Sequence, residues 1–83
     1  MRGHMFVSVE FPDDPNVAGN TYWYLCEYDG VDIGTYVVAP LGSHNRLQIG
    51  VVRRVLFAEE AFAPYPLSLI KRIEAIKSLG GKI

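Results

Sequence analysis

The sequence predicts an all-β fold, mainly a small curled antiparallel sheet or barrel with a short helical turn near the C-terminus. Three observations carry that expectation. Apolar and polar residues alternate with a period of two through several short segments. Turn signals separate these segments at a spacing of roughly 8–12 residues, the pattern of small barrels and sandwiches. The segment 21–28 is rich in aromatics, which favour a pleated surface over a helix. Closing such a sheet also removes its adhesive edges.

The elements follow in order. Met1–His4 reads as a cloning remnant outside the fold, with Met5 as the native start and a single domain over residues 5–79. Met5–Phe11 places Met5, Val7, Val9 and Phe11 on one face and Phe6, Ser8 and Glu10 on the other. Pro12 and Pro15 end it, because neither can donate to a ladder. Thr21–Tyr28 is the second strand, followed by the turn pair Asp29-Gly30. Thr35–Ala39 is the third, stopped at Pro40. Arg46–Phe57 is the longest, and Gly50 within it predicts a bulge or bend. Pro64 and Pro66 break the connector, and Pro66 opens a helical turn over Leu67–Ile70. The segment after Lys71 is ambiguous from spacing alone. Leu67, Ile70, Ile73 and Ile76 recur every three residues, as in a helix.

Composition narrows the class. Apolar residues make up 49% of the 83, enough for a packed core rather than a disordered chain. No apolar run approaches the ~18 residues of a membrane span, so no membrane role is expected. The N-terminus has no basic stretch leading into an apolar run, so no secretory signal is expected. Cys26 is the only cysteine, which excludes an internal disulfide and implies a reducing, cytoplasmic compartment. Charge is uneven. Residues 1–43 carry one base against six acids, and residues 44–83 carry seven bases against three acids. Such asymmetry suits either a basic binding face or an ordinary solvated surface.

Catalytic motifs are missing. There is no phosphate-binding G-x-x-x-x-G-K-[ST] and no G-x-G-x-x-G. His4 and His44 are too few and too poorly flanked for a metal site. Ser43 beside His44 lacks an orienting acid. Asp13-Asp14 falls short of a calcium loop. Cys26 lies among aromatics, where a thiol is usually inert. No enzyme activity, cofactor or metal is expected.

One resemblance spans most of the chain, about residues 6–76. Gly34-Thr-Tyr-Val-Val-Ala-Pro-Leu-Gly42, then Ile49-Gly-Val-Val-Arg-Arg-Val55, then Pro66-Leu-Ser-Leu-Ile-Lys71 form an ordered set of motifs. This set resembles the N-terminal 3′-DNA-binding domain of the primosomal replication-restart helicase PriA. The resemblance implies a β-barrel-like module that binds the 3′ end of single-stranded DNA, with DNA replication and the primosome as its setting. It implies a strand after Lys71, against the helical spacing. It also implies a pocket in which Tyr22 takes the place of the family's aromatic, Gly42 that of its glycine and Lys71 that of its lysine. Trp23 stands where the family has an aspartate. An aspartate accepts a hydrogen bond from a 3′-hydroxyl and an indole N–H does not, so weak selectivity for that hydroxyl is expected.

Nucleic-acid chemistry adds candidates. Tyr22, Trp23, Tyr24, Tyr36 and Tyr65 are possible stacking platforms for unpaired bases, although alternation also sends half of such residues into a core. Arg46, Arg53, Arg54, Lys71 and Arg72 are possible phosphate contacts. Two function classes remain from sequence. One is a non-catalytic nucleic-acid-binding module for single-stranded or 3′-ended DNA. The other is a protein-interaction or assembly barrel, favoured by Trp23, by the acidic N-terminal half and by aromatic richness.

Overall fold

A computed structural model describes residues 3–77. They form one six-stranded curled sheet, a half-barrel, with a single 3₁₀ turn over Glu60–Phe62. In chain order the strands are β1 (His4–Glu10), β2 (Thr21–Cys26), β3 (Tyr36–Leu41), β4 (Arg46–Ala58), β5 (Lys71–Arg72) and β6 (Ala75–Lys77). Their spatial order is β5-β2-β1-β4-β3-β6. Among the described residues no helix is long and apolar enough to cross a membrane.

The central strand is β1, antiparallel to both β2 and β4. Its alternation works as the sequence predicts on the concave side, where Val7, Val9 and Phe11 join Tyr24, Cys26, Val37, Ala39, Val52 and Ile73 in the core. The convex side is also covered. Phe6 lies between Leu25 and Leu56 in the ladder and is fully buried. Ser8 lies between Trp23 and Arg54. The Arg54 guanidinium carbon sits 5.4 Å from the centroid of the Trp23 ring. A small residue between them lets that cation reach the ring across β1, and Ser8 is buried beneath the pair.

Several element boundaries differ from the sequence reading. β1 begins at His4 rather than Met5, because β4 extends to Ala58 and offers His4 a partner. β3 continues through Pro40 to Leu41. Its pairing with β6 ends at Val38, so Pro40 lies on a free edge, where proline costs no ladder bond. The helical turn opened by Pro66 is present as a single turn, with the N–H groups of Leu69 and Ile70 both donating to the Pro66 carbonyl. After it the chain is extended, as the resemblance implies, but in two short strands and with β5 parallel to β2. Residues 78 and 79, at the expected end of the domain, lie outside the described residues.

The bulge lies at Arg53, not at Gly50. Ser8 pairs with Arg54 and Val9 with Val52, which leaves Arg53 as the extra residue of β4. Gly50 has a different reason. A Cβ there would meet Val9 Cγ1 at 2.5 Å, the Glu10 carbonyl oxygen at 2.9 Å and Phe11 Cδ1 at 3.0 Å. The glycine thus allows β4 to close tightly over β1.

Two stability predictions follow from these contacts. Gly50→Ala should destabilise the fold by about 1–3 kcal/mol through overpacking, read as a lower midpoint in urea. An unchanged midpoint would mean that β1 yields to the added methyl. The Ser8 hydroxyl is buried and has no hydrogen-bond partner among the described residues. Ser8→Ala should therefore leave Tm unchanged or raise it, since it removes an unmet desolvation cost. A clear drop in Tm would reveal a partner for the hydroxyl.

Candidate functional site

The site grows from the junction of β2, the β3–β4 turn and β5. β5 is short, and its parallel register sets Lys71 beside Tyr24 and Arg72 beside Leu25. This brings Lys71 to the same end of the sheet as Tyr22. The β3–β4 turn begins at Gly42, whose carbonyl accepts the Asn45 N–H at 3.1 Å. Gly42 has φ +80°, a left-handed conformation that glycine adopts without strain. No atom lies within 4 Å of a Cβ built there, so the glycine serves the turn and not a close approach. Lys71 Nζ donates to the Gly42 carbonyl at 2.8 Å and ties β5 to the turn.

Between these elements lies a cavity of about 430 Å³. Tyr22, Gly42 and Lys71 all line it, and Trp23 adjoins it from β2 although its ring lies against Arg54. Tyr24 forms part of the floor. It donates its hydroxyl to the Pro40 carbonyl at 2.7 Å and packs edge-on against Phe11. Apolar walls come from Val17, Leu41, Leu69 and Ile70, with Tyr65 at half exposure. The loop residues Val17 and Leu69 carry no sequence pattern that assigns them to a site. Both are apolar residues inside proline-bounded loops, which carry no periodicity.

A second, shallower hollow of about 270 Å³ adjoins the first and shares Val17, Leu41 and Gly42 with it. Arg46 lines this hollow with Ser43, His44 and Gln48. Gln48 Nε2 donates to Asp14 Oδ2 at 3.1 Å and fixes the far wall.

The remaining candidates lie elsewhere. The bulge turns Arg53 and Arg54 to the outer surface, so neither lines the cavity. Arg53 Nε donates to Glu10 Oε1 at 2.8 Å. Arg54 is spent on Trp23, whose ring takes the convex face while Tyr22 and Tyr24 take the other. Arg72 faces Glu27 at 3.5 Å, with both groups well exposed. Of the stacking candidates, Tyr24 is enclosed by the core and Tyr36 stands on the outside of β3. Tyr22 and Tyr65 remain accessible from the cavity.

Cys26 is buried, and burial pushes its thiol up from the ordinary range. The thiol rests 3.6 Å from the Tyr28 carbonyl oxygen. At neutral pH it is therefore protonated and a poor nucleophile. Among the described residues no three His, Cys, Asp or Glu side chains converge as a metal ion would need. Comparison with protein-family models, with curated proteins and with solved structures gives no match to this chain.

The cavity floor generates a pH prediction. Burial, with the neighbouring Tyr22 as a lesser cause, pushes the Tyr24 hydroxyl from 10.0 up to about 12. The unfolded chain ionises Tyr24 above pH 10, whereas the folded chain resists until about pH 12. Stability should therefore fall across that window, and Tyr24→Phe should flatten the fall in urea midpoints measured against pH. An identical alkaline slope in the variant would assign the loss to other groups.

Proposed function

We propose that this chain is a non-catalytic nucleic-acid-binding module that seats the terminal nucleotide of a single strand in the 430 Å³ cavity. One observation carries the reading. The three positions singled out by the motif resemblance, Tyr22, Gly42 and Lys71, line a single cavity, although they are 20 and 29 residues apart in sequence. The volume lies within the range of small-ligand sites. Tyr22 offers an aromatic face to a terminal base. Lys71 and, across the Gly42 rim, Arg46 offer cations to the phosphates. The resemblance points to DNA as the nucleic acid and to replication restart as its setting.

A protein-interaction barrel is the alternative, and a specific surface favours it. Leu47 and Ile49 on β4 are 54% and 43% exposed, and half-buried Val38 of β3 lies beside Ile49 on the same outer face.

Fluorescence anisotropy with a labelled oligothymidine separates the two. If Lys71 and Arg46 are the phosphate contacts, two neutralised phosphates give a log–log salt slope of about −1.4 on a single strand. Tyr22→Ala should cost about 1–3 kcal/mol of binding through lost stacking. Arg53→Glu, away from the cavity, should change affinity far less than Arg46→Glu. Binding that is absent at millimolar protein, or independent of salt, would overturn the nucleic-acid reading in favour of the interaction barrel.

A further inference from the structure

The cavity is electrically one-sided. Lys71 is the only ionic side chain in its described lining, and apolar groups from Val17, Leu41, Leu69 and Ile70 surround it. The lysine is half-buried, yet it belongs to neither ion pair present among the described residues, Arg53–Glu10 and Arg72–Glu27. All nine carboxylate side chains of the protein lie within the described residues, and none comes within 4 Å of this ammonium. Among the described residues its one bond is to the neutral Gly42 carbonyl. An ammonium has three N–H donors, so two remain for a ligand. Partial burial strips water from a cation, and an incoming anion restores what the site has removed.

The other polar groups agree with this sign. Tyr22 and Tyr65 bring hydroxyls, each able to donate to an anionic oxygen. The Tyr24 hydroxyl is already committed to the Pro40 carbonyl. No carboxylate lines the cavity to accept a proton from a sugar hydroxyl. Resting on the nucleic-acid reading above, we infer that the cavity selects a strand end carrying a phosphate monoester over one carrying a free hydroxyl. The dianionic terminal group supplies three acceptor oxygens where a hydroxyl supplies one weak acceptor and a proton with no charged acceptor to meet it.

Competition against a bound labelled oligothymidine tests this. The unlabelled competitors are the same strand with hydroxyls at both ends, with a 3′-phosphate only, and with a 5′-phosphate only. One phosphorylated end should compete roughly fivefold better than the hydroxyl strand, the worth of a partly screened ion pair. The end that shows the gain identifies the strand polarity in the cavity. Lys71→Met should abolish the gain, Lys71→Arg should keep it, and Arg46→Met in the adjoining hollow should lower all affinities while keeping it. A gain that survives in Lys71→Met reflects general charge attraction and would overturn the inference. So would equal competition by all three strands in the wild type, a result that needs no variant to fold. That equality would leave the nucleic-acid reading intact, whereas absence of any strand binding would remove the reading itself.

Discussion

The fold depends on a seven-residue clasp. A curled sheet of four antiparallel strands has two raw edges, β2 and β3, each presenting unpaired backbone groups. Residues 71–77 pair with both. β5 runs parallel to β2, and β6 runs antiparallel to β3. The crossing happens within two residues. The Ile73 N–H donates to the Leu25 carbonyl at 3.0 Å, and the next N–H, of Glu74, donates to the Val38 carbonyl at 2.8 Å. Adjacent amides on an extended chain point in opposite directions, so a single segment can bond to strands on either side. Ile73 meanwhile sits in the core at 5% exposure, and Tyr28 donates its hydroxyl to the Glu74 carbonyl at 2.6 Å. An 83-residue chain has little apolar surface to bury, so covering part of two edges with one segment is an economical way to complete the core.

The same constraint explains why both faces of the sheet are partly apolar. A tight half-barrel brings β4 across β1 where only Gly50 fits. Past that contact the extra residue at Arg53 bends the strand and resets its alternation. Before the bulge Val52 faces inward, and after it Val55 does so while Arg54 turns out. The outward turn lets Arg54 lie over Trp23 and cover Ser8. Two neighbouring arginines that look like a phosphate-binding pair in sequence are therefore set by strand geometry to structural contacts, one with Glu10 and one with Trp23.

The sequence made the strands legible because alternation is a local property. Met5–Phe11 and Arg46–Phe57 carry it over enough residues to outweigh other readings, and their cores follow from it. The bulge left a trace as well, two consecutive charged residues in an otherwise alternating strand. What stayed hidden depended on distant partners. His4 is a strand residue only because Ala58 is there to pair with it. The Ile70, Ile73, Ile76 spacing suggests a helix. Pairing with both sheet edges draws 71–77 out instead, since backbone bonds to Leu25 and Val38 replace those a helix would make internally. At the site, alternation could assign Tyr22 to one face and Trp23 to the other, but no local pattern could bring Gly42 and Lys71 to Tyr22. That juxtaposition entered only through motif resemblance. Tyr65 entered only as an aromatic that could stack a base, and the loop residue Val17 escaped every route.

Closure and site are consequently the same piece of structure. Lys71 opens the clasp, and its ammonium is bonded to the turn between β3 and β4, so it links the two edges through its side chain as the backbone does through Ile73 and Glu74. A ligand held by Tyr22, Gly42 and Lys71 touches β2, that turn and β5 at once, and thus spans the seam. β5 is only two residues long and β6 three, so the seam has few backbone bonds to lose compared with β1 and β4. Regions of that kind open most readily by local unfolding. Any molecule that binds only the closed seam adds its binding free energy to closure by mass action. For a ligand bound as proposed, affinity and seam stability would be coupled, and a substitution that loosens the clasp would lower affinity even where it touches no ligand atom.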